Sequence, residues 1–372
     1  AADLKDPINL SIGQPHFDVP DPIKDAAIDA IRAGRNQYTQ TQGTADLRGA
    51  IHDRLARELP HWKHAATNAP EPYESLISSG VSGGLLLAML ACVGPGDEVL
   101  IPDPYFVMYR HLVTLCGGTA VYVDTYPDFQ LTVDRLESQA TDRTRMVLFN
   151  SPSNPTGVVA TNEQCRAVAE FCEANNILLL SDEIYDEFCY EKTPRPAGTC
   201  GDHEPRCPSP AAFSSNLLLM RGFSKTYGMT GWRLGYVAGP RPIIEQMTKI
   251  QQYTFVCAPS MAQAGGVAAL DVDMSAEVAA YATKREMVVE QLAERFEVTR
   301  PGGAFYAFVK VPESLRQTGS EFVERAISKG VLIIPGNVFS NRDTHFRISY
   351  ACDESMLQRG LDILNDLAKG DG

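Results

Sequence analysis

A lysine set among small and apolar residues, Gly222-Phe223-Ser224-Lys225, is the first group in this chain that invites a chemical reading. A buried lysine loses its preference for the charged form, and its amine becomes a nucleophile. Such an amine can condense with an aldehyde to form a Schiff base. Taken alone the signal is weak, because most lysines are solvated surface charges. Two other polar clusters precede it. Asn150-Ser151-Pro152-Ser153-Asn154-Pro155-Thr156-Gly157 supplies amides and hydroxyls, and Asp182-Glu183-Ile184-Tyr185 supplies carboxylates and a phenol.

Each cluster follows a short apolar run: Met146-Val147-Leu148-Phe149, Ile177-Leu178-Leu179-Leu180 and Leu217-Leu218-Leu219-Met220. Glu98-Val99-Leu100-Ile101 and Ala120-Val121-Tyr122-Val123 have the same character. Unbroken apolar runs mark strands buried on both faces, as in a mostly parallel sheet covered by helices. Helical patterns lie between several of them, such as Glu163 to Ala174, which gives the α/β rhythm. Ligands of open α/β sheets bind beyond the carboxyl ends of the strands, where the three clusters stand. Before these strands, Asp21-Pro22 opens a helix whose apolar face is read as Ile23, Ala27, Ile28 and Ile31, ending at Gly34. Leu47 to Leu59 reads as a second helix. After them, a long helix from about Asp273 to Phe296 leads into an α+β tail. Its strands are expected at Gly303–Val311, Val331–Ile334 and Phe346–Tyr350, and its helices at Ser320–Lys329 and Met356–Leu367.

The length of 372 residues suits two domains. The expected division is a large domain over 36–272 and a small one built from 1–35 and 273–372. With 44% apolar and 21% charged residues the chain is an ordinary globular protein. A formal charge of −13 repels phosphate backbones and anionic lipid, so neither nucleic acid nor a membrane surface is an expected partner. The longest apolar stretch, Leu85 to Val93, falls short of the about 20 residues a bilayer requires, and the N-terminus has no apolar signal core. The nine cysteines include no C-x-x-C pair. Cys92, Cys172 and Cys257 lie in apolar runs and read as buried reduced thiols of a cytoplasmic protein. Cys200 and Cys207 share a Pro/Gly-rich loop over 191–210, and whether they pair stays open. His16, His111 and His345 show no metal spacing, and no metal site is expected. Gly80-Val81-Ser82-Gly83-Gly84 lacks the spacing of a dinucleotide loop.

The motifs in order resemble the class I/II aminotransferases of the aspartate-aminotransferase superfamily, the fold-type-I pyridoxal-phosphate enzymes. The resemblance runs from Ser11-Ile12-Gly13-Gln14-Pro15 to Phe346-Arg347-Ile348-Ser349. Its most specific part is Ser224-Lys225-Thr226-Tyr227-Gly228-Met229-Thr230-Gly231-Trp232-Arg233-Leu234-Gly235-Tyr236. The resemblance implies pyridoxal 5′-phosphate linked to Lys225, which also shuttles the proton from the substrate Cα. It implies Asp182 on the ring nitrogen, Asn154 and Tyr185 on the ring oxygen, and Phe106 on the ring face. It implies a phosphate held by the backbone of Val81 and Ser82, by Ser224 and by Arg233. Gly13 and Arg347 would take the substrate α-carboxylate, with Asn154 beside them. Tyr38 matches a tyrosine that reaches the neighbouring subunit's phosphate, which implies a homodimer with shared sites. The implied reaction is ping-pong transfer of an amino group from an L-amino acid to a 2-oxo acid.

Two alternatives share these residues: a C–S β-lyase or related lyase or synthase, and a non-catalytic cofactor-binding module of the kind attached to DNA-binding segments. Neither spare length nor a basic arm favours the module. Aspartate-type members often carry a lysine at the position of Ser82, so strict aspartate preference is not expected; the donor and acceptor stay open.

Overall fold

The computed structural model describes residues 6–62, 72–191 and 207–369. Cys200 and most of the 191–210 loop lie outside these.

The chain enters through β1 (Ile8–Asn9), α1 (Asp21–Arg32) and α2 (Ala45–Glu58). It then alternates: β2 (Tyr73–Ser79), α3 (Gly80–Cys92), β3 (Glu98–Asp103), α4 (Met108–Leu115), β4 (Thr119–Asp124) and α5 (Val133–Glu137). The rhythm continues through β5 (Thr144–Asn150), α6 (Asn162–Ala174), β6 (Leu178–Asp182), β7 (Leu217–Gly222) and β8 (Leu234–Pro240). Thr161 and Gln164 close a capping box at the start of α6, where a polar residue before an apolar helix face is most useful.

These strands form a 7-stranded sheet in the order β2-β8-β7-β6-β5-β3-β4. All neighbours pair in parallel except at β8, which is antiparallel to both β2 and β7. Successive residues face opposite layers. Val99, Ile101, Leu148, Leu180, Leu218 and Met220 join one buried cluster. Leu100, Val147, Leu179, Leu217 and Leu219 join the other. The runs are apolar throughout because both faces are covered by helices. β2 and β8 escape the sequence pattern. β2 carries Glu74, Ser75 and Ser78, and β8 carries Gly235 and Gly239.

After β8 come α7 (Arg241–Thr254), α8 (Ser260–Ala269) and the long α9 (Ser275–Leu292). The remaining elements are β9 (Glu297–Val298), β10 (Tyr306–Lys310), α10 (Gly319–Ser328), β11 (Val331–Leu332), β12 (Ile334–Pro335), β13 (His345–Ser349) and α11 (Glu354–Ala368). A 4-stranded antiparallel sheet, β12-β13-β10-β9, forms the smaller domain's core. β1 pairs with β11, which joins the N-terminal segment to this C-terminal part. The architecture is a large α/β domain with a smaller α+β domain made from both ends of the chain.

Two expectations need correction. α1 buries Ile23, Ala27 and Ala30, not Ile28 and Ile31, which are exposed. The stripe at spacings of four and three follows Ile23 onto α8, where a Cβ on Gly265 would lie 3.2 Å from the Ile23 carbonyl oxygen. Cys172 is buried, but Cys92 and Cys257 are only half-buried; Cys207 is buried.

Candidate active site

The turn after β5 is organised by Asn150. Its amide donates to the Asp182 carbonyl (2.9 Å), and its oxygen accepts from the Asn154 N–H (2.9 Å). One side chain therefore fixes Asn154 relative to the end of β6. Asn154 Oδ1 in turn accepts from Arg347 Nη1 on β13 (2.9 Å), and Arg347 Nη2 donates to the Ser11 carbonyl (2.8 Å). The guanidinium lies 4.5 Å from the Tyr306 ring centre and 4.6 Å from that of Phe339. These two cation–π contacts restrict its orientation. Arg347 is buried, and its Nε has no hydrogen-bond partner. A buried charged fork with donors to spare invites a carboxylate.

Asp182 ends β6, buried at 3% exposure. Its carboxylate accepts from the Tyr109 hydroxyl (2.7 Å) and the Ile184 N–H (3.2 Å). Burial pushes its pKa up to about 6, against the pull of those two hydrogen bonds. Lys225, mostly buried, donates from Nζ to the Gly13 carbonyl (2.6 Å). Burial lowers its pKa to about 8, aided by the nearby charges of Arg347 and Arg233. Both pKa values are moved toward neutrality, a direction common at functional sites. The Tyr185 and Tyr306 hydroxyls bond each other at 2.9 Å, and burial raises the Tyr185 phenol well above its usual range.

The third feature is a cradle for an anion. α3 starts at Gly80, five residues before the apolar run that announced it, so Val81 and Ser82 sit in its first turn. The N–H groups there have no partner within the helix, and the first turn holds no acidic side chain. Arg233 closes over this turn, donating to the Thr230 and Ser79 carbonyls. Gly80 has φ +68°, and a Cβ there would come within 2.6 Å of Arg233 Nη2. On β8, a Cβ at Gly235 would lie 2.7 Å from the Val81 nitrogen. The glycines that hid β8 from the sequence pattern let the helix start pass close over the strand.

Gly13, Val81, Ser82, Phe106, Asn154, Asp182, Tyr185, Ser224, Lys225, Arg233 and Arg347 line one cavity of about 380 Å³. Tyr38 does not. It is 85% exposed and lines a separate surface depression with Arg35 and Asp46. Tyr109, Tyr306, Ile334, Val338 and Phe339 also line the cavity and were not anticipated. Aromatic and aliphatic residues in apolar stretches read as core, and no local signal separates them from it. Asn150 stood at a strand end, the one signal that could have marked it.

Behind the cavity floor, Arg221 on β7 pairs with Glu183 (3.0 Å) and with Glu58 of α2 (2.6 Å). Arg54 joins Glu58 and Glu187 (2.9 and 2.5 Å). This buried network pins the ends of β6 and β7 to α2, and geometry of this kind keeps Asp182 in register with Lys225. His345 is buried and stacks on Phe308 at 4.9 Å. His16 bonds Tyr281 and approaches Lys284 Nζ. Among the described residues no group of three or more His, Cys, Asp or Glu side chains is arranged to hold a metal ion, and no helix is long and apolar enough to cross a membrane.

An amine and a buried carboxylate line one cavity beside a bare helix start and a buried guanidinium, at the carboxyl edge of an α/β sheet where enzymes of this fold class bind their ligands. The family model "Aminotransferase class I and II" matches residues 5–364, and the chain belongs to that family. A probable aspartate aminotransferase of Methanocaldococcus jannaschii is 34% identical over 97% of this chain and 93% of its own length. Aromatic-amino-acid aminotransferase 2 of Thermococcus litoralis is 32% identical over 97% and 92%. The crystal structure of an aromatic aminotransferase from Pyrococcus horikoshii superposes with a TM-score of 0.89 at 32% identity, covering 98% of this chain and 96% of that one. The protein is an aminotransferase, acting on amino acids and 2-oxo acids.

Proposed function

We propose that this aminotransferase works with pyridoxal 5′-phosphate held in the cavity and transfers the amino group by a ping-pong route. The observation that carries the reading is the pair Asp182 and Lys225, a buried carboxylate and a largely buried amine lining the same cavity. The donor set fits the cofactor. A buried carboxylate without a cation partner costs free energy that a protonated ring nitrogen would offset. The α3 start and Arg233, with the Ser224 hydroxyl, suit a phosphate. Phe106 offers a flat apolar face to a ring.

When bound, pyridoxal phosphate supplies an aldehyde for amines and a ring that takes up electrons. The chain's own groups do the rest. Asp182 holds a proton on the ring nitrogen. Tyr185 and Asn154 direct hydrogen bonds at the ring oxygen. Arg347, with the Gly13 backbone, orients the substrate through its α-carboxylate and so aligns the Cα–H bond. Lys225 Nζ would act as the base for the substrate Cα proton and as the acid that gives it back. Lowering its pKa to about 8 leaves a usable fraction of free amine near neutrality.

Cofactor-free protein mixed with pyridoxal phosphate is expected to gain an absorbance band that shifts with a reactive L-amino acid and reverts with a 2-oxo acid. The loading rate should rise with pH through about 8, where Lys225 loses its proton, and level off well below the ordinary lysine range. Protein that stays colourless after incubation refutes the reading. Ammonia and pyruvate released without an oxo-acid acceptor would mark a lyase.

The proposal extends to a homodimer with shared sites, in a cytoplasmic setting, with domains divided at 36–272 against 1–35 and 273–372. The nearly bare Tyr38 supports the dimer, as do exposed Tyr253, Phe255 and Val256. Large exposed apolar side chains in a group mark a contact surface. The described cysteines form no disulfide, as a reducing compartment would have it. Mixing Tyr38→Phe chains with Lys225→Ala chains tests the shared site. Each homodimer is defective, whereas a heterodimer has one site with both lesions and one with neither. Regained activity is expected after subunit exchange; a fully active monomer by sedimentation would rule the dimer out.

A further inference from the structure

Tyr306 opens β10 and pairs with Ser349 of β13, so its side chain shares a face of the small sheet with Arg347, two residues away on that strand. Its ring lies 4.5 Å from the guanidinium. Its hydroxyl meets the Tyr185 hydroxyl at 2.9 Å, with the two rings at 90°. A Cβ on Gly13 would lie 2.9 Å from that same hydroxyl. Tyr306 and Tyr185 are 1% and 3% exposed within a single chain, so their contact stands whatever a second subunit adds.

A phenylalanine at this position would give Arg347 the same aromatic face. The hydroxyl calls for a separate reason, because a buried hydroxyl without a hydrogen bond destabilises the fold. Among the described residues its hydrogen bond is the one to Tyr185. Burial raises both phenols above their ordinary range, so both keep their protons near neutral pH. Two protonated hydroxyls share a single bond, and the one that donates it has no proton left for a third group. The inference rests on the reading above, in which Tyr185 serves the ring oxygen of the cofactor. A ring oxygen with negative charge accepts more strongly than a phenol does. Tyr185 then gives its proton to the ring oxygen and accepts from Tyr306.

We propose that Tyr306 is a positioning residue of this aminotransferase: its hydroxyl donates to Tyr185 Oη and so holds the Tyr185 proton toward the ring oxygen of the bound cofactor. A hydrogen bond behind another polarises it, which makes Tyr185 a stronger donor than it would be alone.

The test is a pH titration of the bound cofactor's absorbance in the parent, Tyr306→Phe, Tyr185→Phe and the double variant. A donor to the ring oxygen favours the form of the cofactor in which that oxygen is negative, and so draws the midpoint down. Tyr185→Phe is expected to raise the midpoint by roughly one to two units, the worth of a hydrogen bond to a charged oxygen. Tyr306→Phe keeps the ring and the packing on Arg347, and should raise it by about 0.3–0.6 unit, a strengthening near 30% of that bond. With Tyr185 gone, Tyr306 has nothing to act through, so the double variant should titrate like Tyr185→Phe. A Tyr306→Phe midpoint equal to the parent's, or a double variant whose shift is the sum of the two, overturns the inference and leaves the proposed function standing. A Tyr185→Phe midpoint equal to the parent's removes Tyr185 from the ring oxygen, and that part of the proposed function falls together with the inference.

Discussion

Lys225→Ala is expected to fold, to bind pyridoxal phosphate, and to lose nearly all turnover. The fold should survive because Lys225 has one hydrogen bond, to the Gly13 carbonyl, and is no part of either apolar cluster. The sign of the stability change follows from linkage. The folded-state pKa of about 8 lies below the ordinary lysine value of 10.5. At pH 7 the amine is therefore charged in a place that disfavours charge, and it opposes folding. Cofactor-free Lys225→Ala should melt no lower than the cofactor-free parent at neutral pH. Cofactor binding should persist because the α3 start, Ser224, Arg233 and Asp182 remain. What disappears is the covalent link, so borohydride should no longer fix the cofactor to the protein. The proton carrier is lost too. A positioned general acid–base is typically worth about 10²–10⁴-fold, and removal of the amine that exchanges with substrate adds to that. Single-turnover absorbance with an added amino acid would check it. Turnover like that of the parent, in a preparation free of parent enzyme, would overturn the role given to Lys225 and most of the mechanism with it.

Arg347→Ala should strike the substrate and spare the cofactor. The guanidinium is buried against Tyr306 and Phe339, and its fork is the group proposed to hold the donor's α-carboxylate. Leaving that carboxylate without its partner costs about 2–5 kcal/mol, which amounts to a loss of roughly 30-fold to several thousand-fold in kcat/KM. Pyridoxal phosphate affinity should change far less, because of the groups assigned to the cofactor only Asn154 bonds to Arg347. Arg347→Lys keeps a charge without the planar fork and should fall between the two. Titrating cofactor by fluorescence and donor by absorbance separates the effects. Equal losses in both affinities would mean that Arg347 is a strut between β13, Asn154 and Ser11.

The reach of the sequence differed among these residues for a physical reason. Asn154, Asp182 and Lys225 each follow a strand buried on both faces. Such a strand is an unbroken apolar run, so its polar end is conspicuous and its place at the carboxyl edge of the sheet follows from the fold. Arg347 and Arg233 were legible through the resemblance of the surrounding motifs, since an isolated arginine has no local signature of what it binds. α3 begins at Gly80, before the apolar stretch from Leu85, because close approach to β8 and Arg233 requires glycine there. In α1 the apolar period was visible, but two of the four residues assigned to its buried face proved exposed.

Strand runs marked the α/β scaffold and the polar groups at its strand ends, and the resemblance of the ordered motifs pointed to the aminotransferase family. Tertiary structure alone decided how those groups behave. Tyr109 bonds Asp182 and Tyr306 bonds Tyr185 across long stretches of chain, and in the sequence both are simply tyrosines near apolar residues. The Arg221 and Arg54 network behind the floor, and the lining that Ile334, Val338 and Phe339 give the cavity, likewise exist only once distant segments meet. The charge states of Asp182 and Lys225 belong to the same category. A pKa is set by desolvation and by charges a few ångströms away, and neither quantity is encoded in the residues next to it along the chain.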